Sequence, residues 1–215
     1  KAWKEADIPY GDGSTINVGH ASVAVPGMLR ALELAWQRHG SLPWQAVLAP
    51  AIALAREGTT ASQTLDMWLG MAGRAVCYDQ SESRETFFPD GSTPLRQGDF
   101  YKPPHLDQSL EQVAIEGADA LYVGDLGRAF AAEICSNNGY VTRQDLAAYR
   151  AEVRTPLLLQ SHGYQLALNP PPSIGGAMAG SMVKLYDAMW HEGMREAERD
   201  LLIARIQRTM FDLRH

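Results

Sequence analysis

Cysteine is scarce in this sequence of 215 residues, and neither charge sign is in large excess. Cys77 and Cys135 lie far apart and form no Cys-x-x-Cys pair, which excludes a zinc ribbon or a dithiol redox motif. They can pair in a disulfide or stay free, and burial is the commoner state of a free cysteine. The 19 basic residues are scattered singly among 25 acidic ones, so we do not expect a nucleic-acid partner.

Long apolar runs are absent as well. The nearly uncharged stretch 44–55 is interrupted by Gln45 and Pro50 and is shorter than the ~20 residues of a membrane-spanning helix. We therefore predict no membrane span. The six histidines include no pair at a spacing of three or four residues, so no helix face presents two imidazoles. We expect neither a metal site nor a cofactor.

Apolar residues recur at helical spacing through most of the chain, often between a capping residue and a glycine. This pattern predicts helices over Met28–His39, 43–57, 62–75, Leu106–Glu116, 125–137, 142–149, 177–190 and 194–213. Pro50 is expected to kink or split the second of these helices. The third is so densely apolar that we expect it to be buried. Thr142 and Asp145 have the spacing of a helix capping box.

Strand patterns are rare. Residues 155–160 and 163–169 are predicted to form a β-hairpin, because apolar and polar residues alternate in its second arm. Segments 1–18 and 77–104 are rich in turn residues and are predicted to be mostly irregular. The expected fold is mainly α with a small β-hairpin. No linker or repeat divides the chain, so we expect a single unit over residues 1–215.

One segment stands out as a candidate site. Three consecutive prolines at 170–172 exclude a helix or a central strand there, so residues 170–176 are predicted to form a stiff loop that leads into a helix. Ser173, Gly175 and Gly176 then offer a hydroxyl and backbone N–H groups at a helix N-terminus, which can receive an anion or an oxyanion. We interpret these three residues as weak substrate-binding candidates. The alternative is a structural turn whose glycines permit close backbone packing.

No catalytic residue can be assigned within this chain. A Gly-x-Ser-x-Gly elbow is absent, and the Ser, His and Asp residues are too numerous to select a triad. Acidic residues could support glycoside chemistry, but nothing places two of them across a cleft. We therefore predict that the acidic candidates lie on the solvated surface: Asp7, Asp12, Glu33, Glu57, Glu82 and Glu85.

Several ordered blocks together resemble the γ-glutamyltranspeptidase family. They span roughly residues 19–190 and follow the order and spacing of that family, with one departure at Ile174, where the family commonly has a second Ser. The blocks are Ala-Val-Pro-Gly at 24–27, His-Gly-Ser-Leu-Pro-Trp at 39–44, 50–58, 94–99, 117–124, 139–149, 154–156 and Pro-Pro-Pro-Ser-Ile-Gly-Gly at 170–176.

The resemblance implies an αββα N-terminal-nucleophile hydrolase. In that family a precursor cuts itself, and a Thr becomes the N-terminus of a small subunit and attacks a γ-glutamyl amide. The acyl-enzyme then passes the glutamyl group to water or to an acceptor amine or peptide. Glutathione is the usual donor in that family, and a poly-γ-glutamate or a β-lactam side chain is an alternative donor among its members. The resemblance also implies a periplasmic or extracellular location.

For this chain, the resemblance implies the helical middle of the large subunit. We expect the nucleophilic Thr to lie outside the chain, in a small-subunit partner, and we expect this chain alone to be inactive. The ligand would be a γ-glutamyl small molecule or peptide. The alternative is a truncated, catalytically inactive family member that acts as a helical interaction module. Self-association would then replace the small subunit as the partner.

Overall fold

A computed structural model describes residues 4–7 and 15–213. These residues are mainly helical and carry three two-stranded antiparallel sheets, which confirms the predicted mainly α fold with a small β-hairpin. They divide into two compact units, the first ending at Ala151 and the second beginning at Glu152. The single unit over residues 1–215 stays a prediction, because two compact parts can still unfold together.

Helices dominate the first unit. They are α1 (Met28–His39), α2 (Trp44–Glu57), α3 (Gln63–Trp68), α4 (Arg74–Cys77), α5 (Ser81–Phe87), α6 (Leu106–Glu116), α7 (Asp119–Tyr122), α8 (Asp125–Ser136) and α9 (Arg143–Ala148). The bounds of α1 and α6 agree with the prediction. Helix α2 continues through Pro50, so this proline does not split it.

The segment predicted as one buried helix is a helical run in three parts. A π-helical turn, Leu69–Gly73, joins α3 to α4. Leu69 and Ala72 are buried, whereas Met67 and Trp68 are exposed. The predicted burial is therefore only half correct, because successive side chains point around the helix and the described residues cover one side of it.

Sequence reasoning missed several short elements of the first unit. Strands β1 (Lys4–Asp7) and β2 (Thr15–Val18) pair antiparallel, so the predicted irregular start is wrong for the described residues. Strands β3 (Thr59–Thr60) and β4 (Phe100–Tyr101) also pair, and helix α5 lies within the segment expected to be irregular. These elements are short and mostly exposed, so they show little of the hydrophobic periodicity on which such predictions depend.

Three buried clusters form the core of the first unit. The first joins α8 and α9 and contains Ile134, Val141 and Leu146. The second joins α2, α6 and α7, and there the indole N–H of Trp44 donates to the carbonyl of Val113 at 2.9 Å. The third contains Leu69 and residues near strands β3 and β4. Together they bury apolar surface from nearly every helix of this unit.

The predicted capping box of α9 is confirmed. The Thr142 hydroxyl accepts a hydrogen bond from the Asp145 amide at 3.2 Å. In return, the Asp145 carboxylate accepts from the Thr142 amide at 2.9 Å. Both bonds satisfy N–H groups that the helix itself leaves without partners, so this helix start is determined locally.

The second unit is a hairpin with two helices. Strands β5 (Leu157–Ser161) and β6 (Tyr164–Leu168) pair antiparallel, which confirms the predicted hairpin. Its two loop residues, His162 and Gly163, have φ of 45° and 83°, as a type I′ turn requires. The hairpin contacts α10 (Ile174–Met189), and α10 contacts α11 (Glu196–Asp212).

Helix α10 begins earlier than predicted. Ile174, Gly175 and Gly176 form its first turn, so the prediction of a loop through residue 176 is wrong for these three positions. The reason is that the helix-excluding prolines end at residue 172, and N–H groups of a first turn need no partner within the helix. Among the described residues, no helix is long and apolar enough to cross a membrane.

Candidate functional site

The predicted substrate-binding segment surrounds the start of α10. Ser173 is the N-cap residue, and its amide donates to the Pro170 carbonyl at 3.1 Å, closing a tight turn. Its hydroxyl makes no cap hydrogen bond with the helix. The amides of the first helical turn and this hydroxyl are therefore the polar groups at the helix N-terminus that a negatively charged ligand group would contact.

The two glycines of this segment differ in their surroundings. A Cβ added to Gly175 would meet open space. A Cβ added to Gly176 would overlap the backbone carbonyl of Asn169, at the end of the hairpin. Gly176 therefore lets α10 approach the hairpin closely, as the packing alternative predicts, while Gly175 lies exposed at the N-terminus of α10.

Arg154 connects this segment to the chain before the hairpin. One guanidinium nitrogen donates to the Pro171 carbonyl at 3.1 Å, and the other contacts the Glu152 carboxylate at 3.2 Å. The Arg154 side chain is 49% exposed. Sequence reasoning gave Arg154 no role, because a hydrogen bond to a backbone carbonyl so far along the chain leaves no signal in local patterns.

A second cluster of polar residues occupies the hairpin turn. The Ser161 hydroxyl donates to Asp187 Oδ1 at 2.7 Å, and His162 Nε2 lies 3.2 Å from the same oxygen. These are the residue types of a hydrolase triad, but the serine bonds to the carboxylate and not to the imidazole. The imidazole is therefore not placed to take the serine proton, as it does in a triad. The cluster ties the turn to α10 and was not identified from the sequence.

The two larger cavities found among the described residues lie away from the predicted segment. One, of about 550 Å³ in the first unit, is lined by both polar and apolar side chains near β1, β2 and the ends of α4 and α8. The other, of about 540 Å³ in the second unit, is lined by apolar side chains of the hairpin, α10 and α11. Ser173, Gly175 and Gly176 line neither, so the candidate site is an exposed helix terminus.

Glu33 corrects the expectation of a solvated acidic surface. Its carboxylate pairs with Arg30 at 2.8 Å and accepts from the Ala118 amide at 2.7 Å, and its side chain is only 14% exposed. Arg30 also pairs with Asp119 and lies over the ring of Tyr122. Burial raises the pKa of the Tyr122 hydroxyl, which donates to a backbone carbonyl. The network therefore joins α1 to the start of α7, a structural role.

The two cysteines are both free, so the disulfide alternative is wrong. Cys77 is buried, as expected, and burial raises the pKa of its thiol, which disfavours the reactive thiolate. Cys135 is exposed, contrary to the expectation of burial. Within residues 4–7 and 15–213, no three His, Cys, Asp or Glu side chains are grouped so that they could hold a metal ion.

Solved structures with the same fold define the class of protein. The Helicobacter pylori gamma-glutamyltranspeptidase has a TM-score of 0.79 at 23% identity, and the match covers 97% of this chain and 63% of that one. The Pseudomonas nitroreducens gamma-glutamyltranspeptidase has a TM-score of 0.77 at 25% identity, and the match covers 97% of this chain and 65% of that one. Such proteins are N-terminal-nucleophile hydrolases, and this chain supplies a mainly helical portion of that fold.

Sequence comparison gives the family. The Gamma-glutamyltranspeptidase family model matches residues 5–215, and the chain belongs to that family. It is 36% identical over 157 residues to the glutathione hydrolase proenzyme of Escherichia coli, and 40% identical over 156 residues to glutathione hydrolase 5 proenzyme of Rattus norvegicus. Each match covers 73% of this chain and 27% of the relative. The acylase ACY 1 proenzyme of Pseudomonas sp. is 35% identical over 170 residues, and the match covers 79% of this chain and 30% of that protein.

Proposed function

We propose that this chain is part of a γ-glutamyl acyltransferase or hydrolase that cleaves γ-glutamyl amides such as glutathione. The observation that carries the proposal is the family match over residues 5–215, together with relatives named glutathione hydrolase proenzymes. We assign the chain to the large subunit, with the nucleophilic Thr outside it. In support, the matched part is 27% of the E. coli proenzyme but 63% of the solved H. pylori chain.

The proposed reaction is covalent acyl transfer. The hydroxyl of an N-terminal Thr attacks the γ-glutamyl carbonyl, and the α-amine of the same Thr takes the hydroxyl proton. The amide C–N bond breaks, the amine leaves with that proton, and a γ-glutamyl ester remains on the enzyme. Water or an acceptor amine then attacks the ester. This scheme needs no cofactor, because one residue supplies both nucleophile and base.

The proposed role of this chain is to bind the charged end of the substrate. A γ-glutamyl group carries an α-carboxylate, and the first turn of α10 presents amides and the Ser173 hydroxyl to such an anion. We assign Ser173 and Gly175 to this contact. Gly176 was predicted to share it, and its contact with Asn169 supports a different contribution, holding the helix against the hairpin.

The proposed partner is a small subunit that begins with Thr. The second unit exposes large apolar side chains, including Ile174, Leu185 and Trp190 of α10 and its C-cap, which a partner chain would cover. We propose a periplasmic or extracellular location, as the family resemblance implies.

Turnover of a γ-glutamyl anilide tests this function. The assembled two-chain protein should release the aniline, and its intact mass should show a second chain with an N-terminal Thr. The 215-residue chain alone should release none. A β-lactam side-chain amide is the matched alternative donor, because one solved structure of similar fold is a cephalosporin acylase. Turnover of that donor alone would overturn the assignment to γ-glutamyl amides, and activity of the isolated chain would overturn the external nucleophile.

The alternative function is an inactive helical interaction module. The observation that favours it is the same exposed apolar surface, since α10 contains no buried residue. If the chain acts in this way, it self-associates in the absence of any Thr-initiated partner. Light scattering and binding of a hydrophobic dye measure this directly. A monodisperse monomer that binds no dye would contradict the module.

A further inference from the structure

The hairpin turn of the second unit contacts α10 through a histidine and a carboxylate. The Ser161 hydroxyl donates to Asp187 Oδ1 at 2.7 Å, and His162 Nε2 lies 3.2 Å from the same oxygen. The imidazole also meets the Trp190 ring nearly at a right angle, with 4.8 Å between the ring centroids. The side chains of His162 and Asp187 are 41% and 26% exposed, so the pair can exchange protons with solvent while the chain stays folded.

His162 supplies the positive charge that pairs with Asp187 in this structure. Lys184 and His191 are the nearest other basic residues along the sequence. Neither forms an ion pair with Asp187 in the part of the chain that the structure describes. The attraction between the hairpin turn and this carboxylate therefore depends on whether His162 carries its proton.

The other side chains found around the imidazole carry no charge at neutral pH. On α10, the ring centroid of Tyr186 lies 6.2 Å from that of His162. On the hairpin, Tyr164 lines the same apolar cavity as His162. The α11 residues that line this cavity are uncharged: Ile203, Ile206 and Gln207. A change in the charge of His162 therefore alters mainly its attraction to Asp187.

We propose that His162 and Asp187 form a pH-sensitive clasp, which holds the hairpin turn against α10 while the imidazole is protonated and loosens as the pH rises. Histidine ordinarily changes its charge between pH 5 and 8, a range in which carboxylates stay ionised. The protonated ring donates a charge-assisted hydrogen bond to Asp187, which is stronger than a bond between neutral groups. The neutral ring keeps only a hydrogen bond, and the Ser161 hydroxyl remains in place.

Amide hydrogen exchange in the 215-residue chain tests the clasp. Tyr164 faces Ser161 in the last pair of the hairpin ladder, so its amide reports opening of the turn. Its protection, corrected for the intrinsic pH dependence of exchange, should fall about threefold between about pH 5.5 and pH 8. The change should be this small because the pair is partly exposed. Amides of α6 in the first unit should show no matching change.

Three variants assign the pH dependence to the pair. His162→Asn should abolish it and leave the turn intact, because asparagine tolerates the φ of 45° at this position. Asp187→Asn should also abolish it, because the charged partner of the imidazole is removed. His191→Asn is the matched control and should behave like the wild-type chain, since His191 contacts the Glu192 carbonyl and not Asp187.

Two results would overturn the proposal. One is equal Tyr164 protection at both pH values in the wild-type chain. The other is a pH dependence that persists in His162→Asn or in Asp187→Asn. Because the measurement needs neither turnover nor a partner chain, its outcome is independent of the proposed function.

Discussion

The two units of this chain bury their apolar residues to very different extents. The first unit has three buried clusters, and Tyr122, Phe88, Leu69 and Leu146 are fully enclosed. In the described part of the second unit, only Leu202 and Ile206 are buried. Helix α10 of the second unit is nevertheless more apolar in composition than the long helices of the first unit, with Ile, Ala, Met, Val and Leu along its length.

Apolar composition and enclosure are therefore separate properties of a helix. A helix that is apolar on every side is stable when other elements surround it. In the first unit, neighbouring helices supply those elements, whereas much of α10 faces outward among the described residues. The second unit therefore exposes apolar surface that the proposed partner chain would cover.

The greatest loss of unfolding free energy is expected when a leucine of the first unit is truncated, and a leucine of the second unit serves as its match. Leu146→Ala should cost the first unit about 3 kcal/mol, because Leu146 is enclosed and its removal leaves a cavity. Leu185→Ala, at a position 36% exposed, should cost less than about 1 kcal/mol. Urea unfolding of the 215-residue chain measures both. Equal costs would remove the contrast between the units, and a larger cost for Leu185→Ala in the assembled protein would show that a partner covers α10.

Alanine substitution of two neighbouring glycines in the second unit should change stability in opposite directions. Gly176→Ala should destabilise the chain by about 2 kcal/mol, because the new methyl group meets the Asn169 backbone. Gly175→Ala has open space and should stabilise the helix by up to about 1 kcal/mol. Thermal unfolding distinguishes them. Destabilisation by both substitutions would show that the whole segment is a packing element.

The same pair has a second readout in the assembled protein. Gly175→Val should lower kcat/KM by more than any loss of folded protein explains, because it places a branched side chain beside the proposed carboxylate site. If the folded variant keeps full activity, Gly175 should be removed from the site.

Removal of a helix-capping hydroxyl should have a smaller effect on stability, and this effect should again differ between the two units. Thr142→Ala in the first unit should cost about 1 kcal/mol, because the hydroxyl caps α9. Ser173→Ala in the second should cost close to nothing in stability, because its hydroxyl makes no cap bond with α10. Turnover of the assembled protein should show the reverse order, with a raised KM only for Ser173→Ala. A stability loss in Ser173→Ala would identify it as a structural cap.

The smallest effect is the pH dependence of surface carboxylates. Hydrogen bonds from the amides of Thr93 and Ser92 lower the pKa of Asp90 from 3.8 to about 2. A hydrogen bond from the Arg195 side chain is the main cause that lowers the pKa of Glu198 in the second unit. Because both folded pKa values are depressed, their stabilising contributions are present above the unfolded pKa and are lost as the pH falls through the folded pKa.

Carboxyl NMR titration checks these shifts in the folded chain. The Asp90 signal should have a midpoint near pH 2, and the Glu198 midpoint should lie below its ordinary value of 4.5. A midpoint of Asp90 near 3.8 would show that the turn bonds are not maintained in solution.

The features that could be predicted from the sequence are those that neighbouring residues determine. Helices α1 and α6 show apolar periodicity and end at glycines, and their bounds agree with the prediction. The Thr142 capping box and the hairpin turn at His162 and Gly163 depend on residues only a few positions apart. The ordered blocks were sufficient to indicate the family, which the comparisons then established.

The tertiary structure alone decided the features that depend on residues distant in the chain. These include the hydrogen bond from the Ala118 amide to the Glu33 carboxylate, the close contact of Gly176 with Asn169, and the hydrogen bond from Arg154 to Pro171. The short strand pairs and the different burial of the two units belong here too. The physical reason is that hydrophobic periodicity and turn propensity show which side of an element is apolar, whereas the residues that will meet that side are selected only when the whole chain packs.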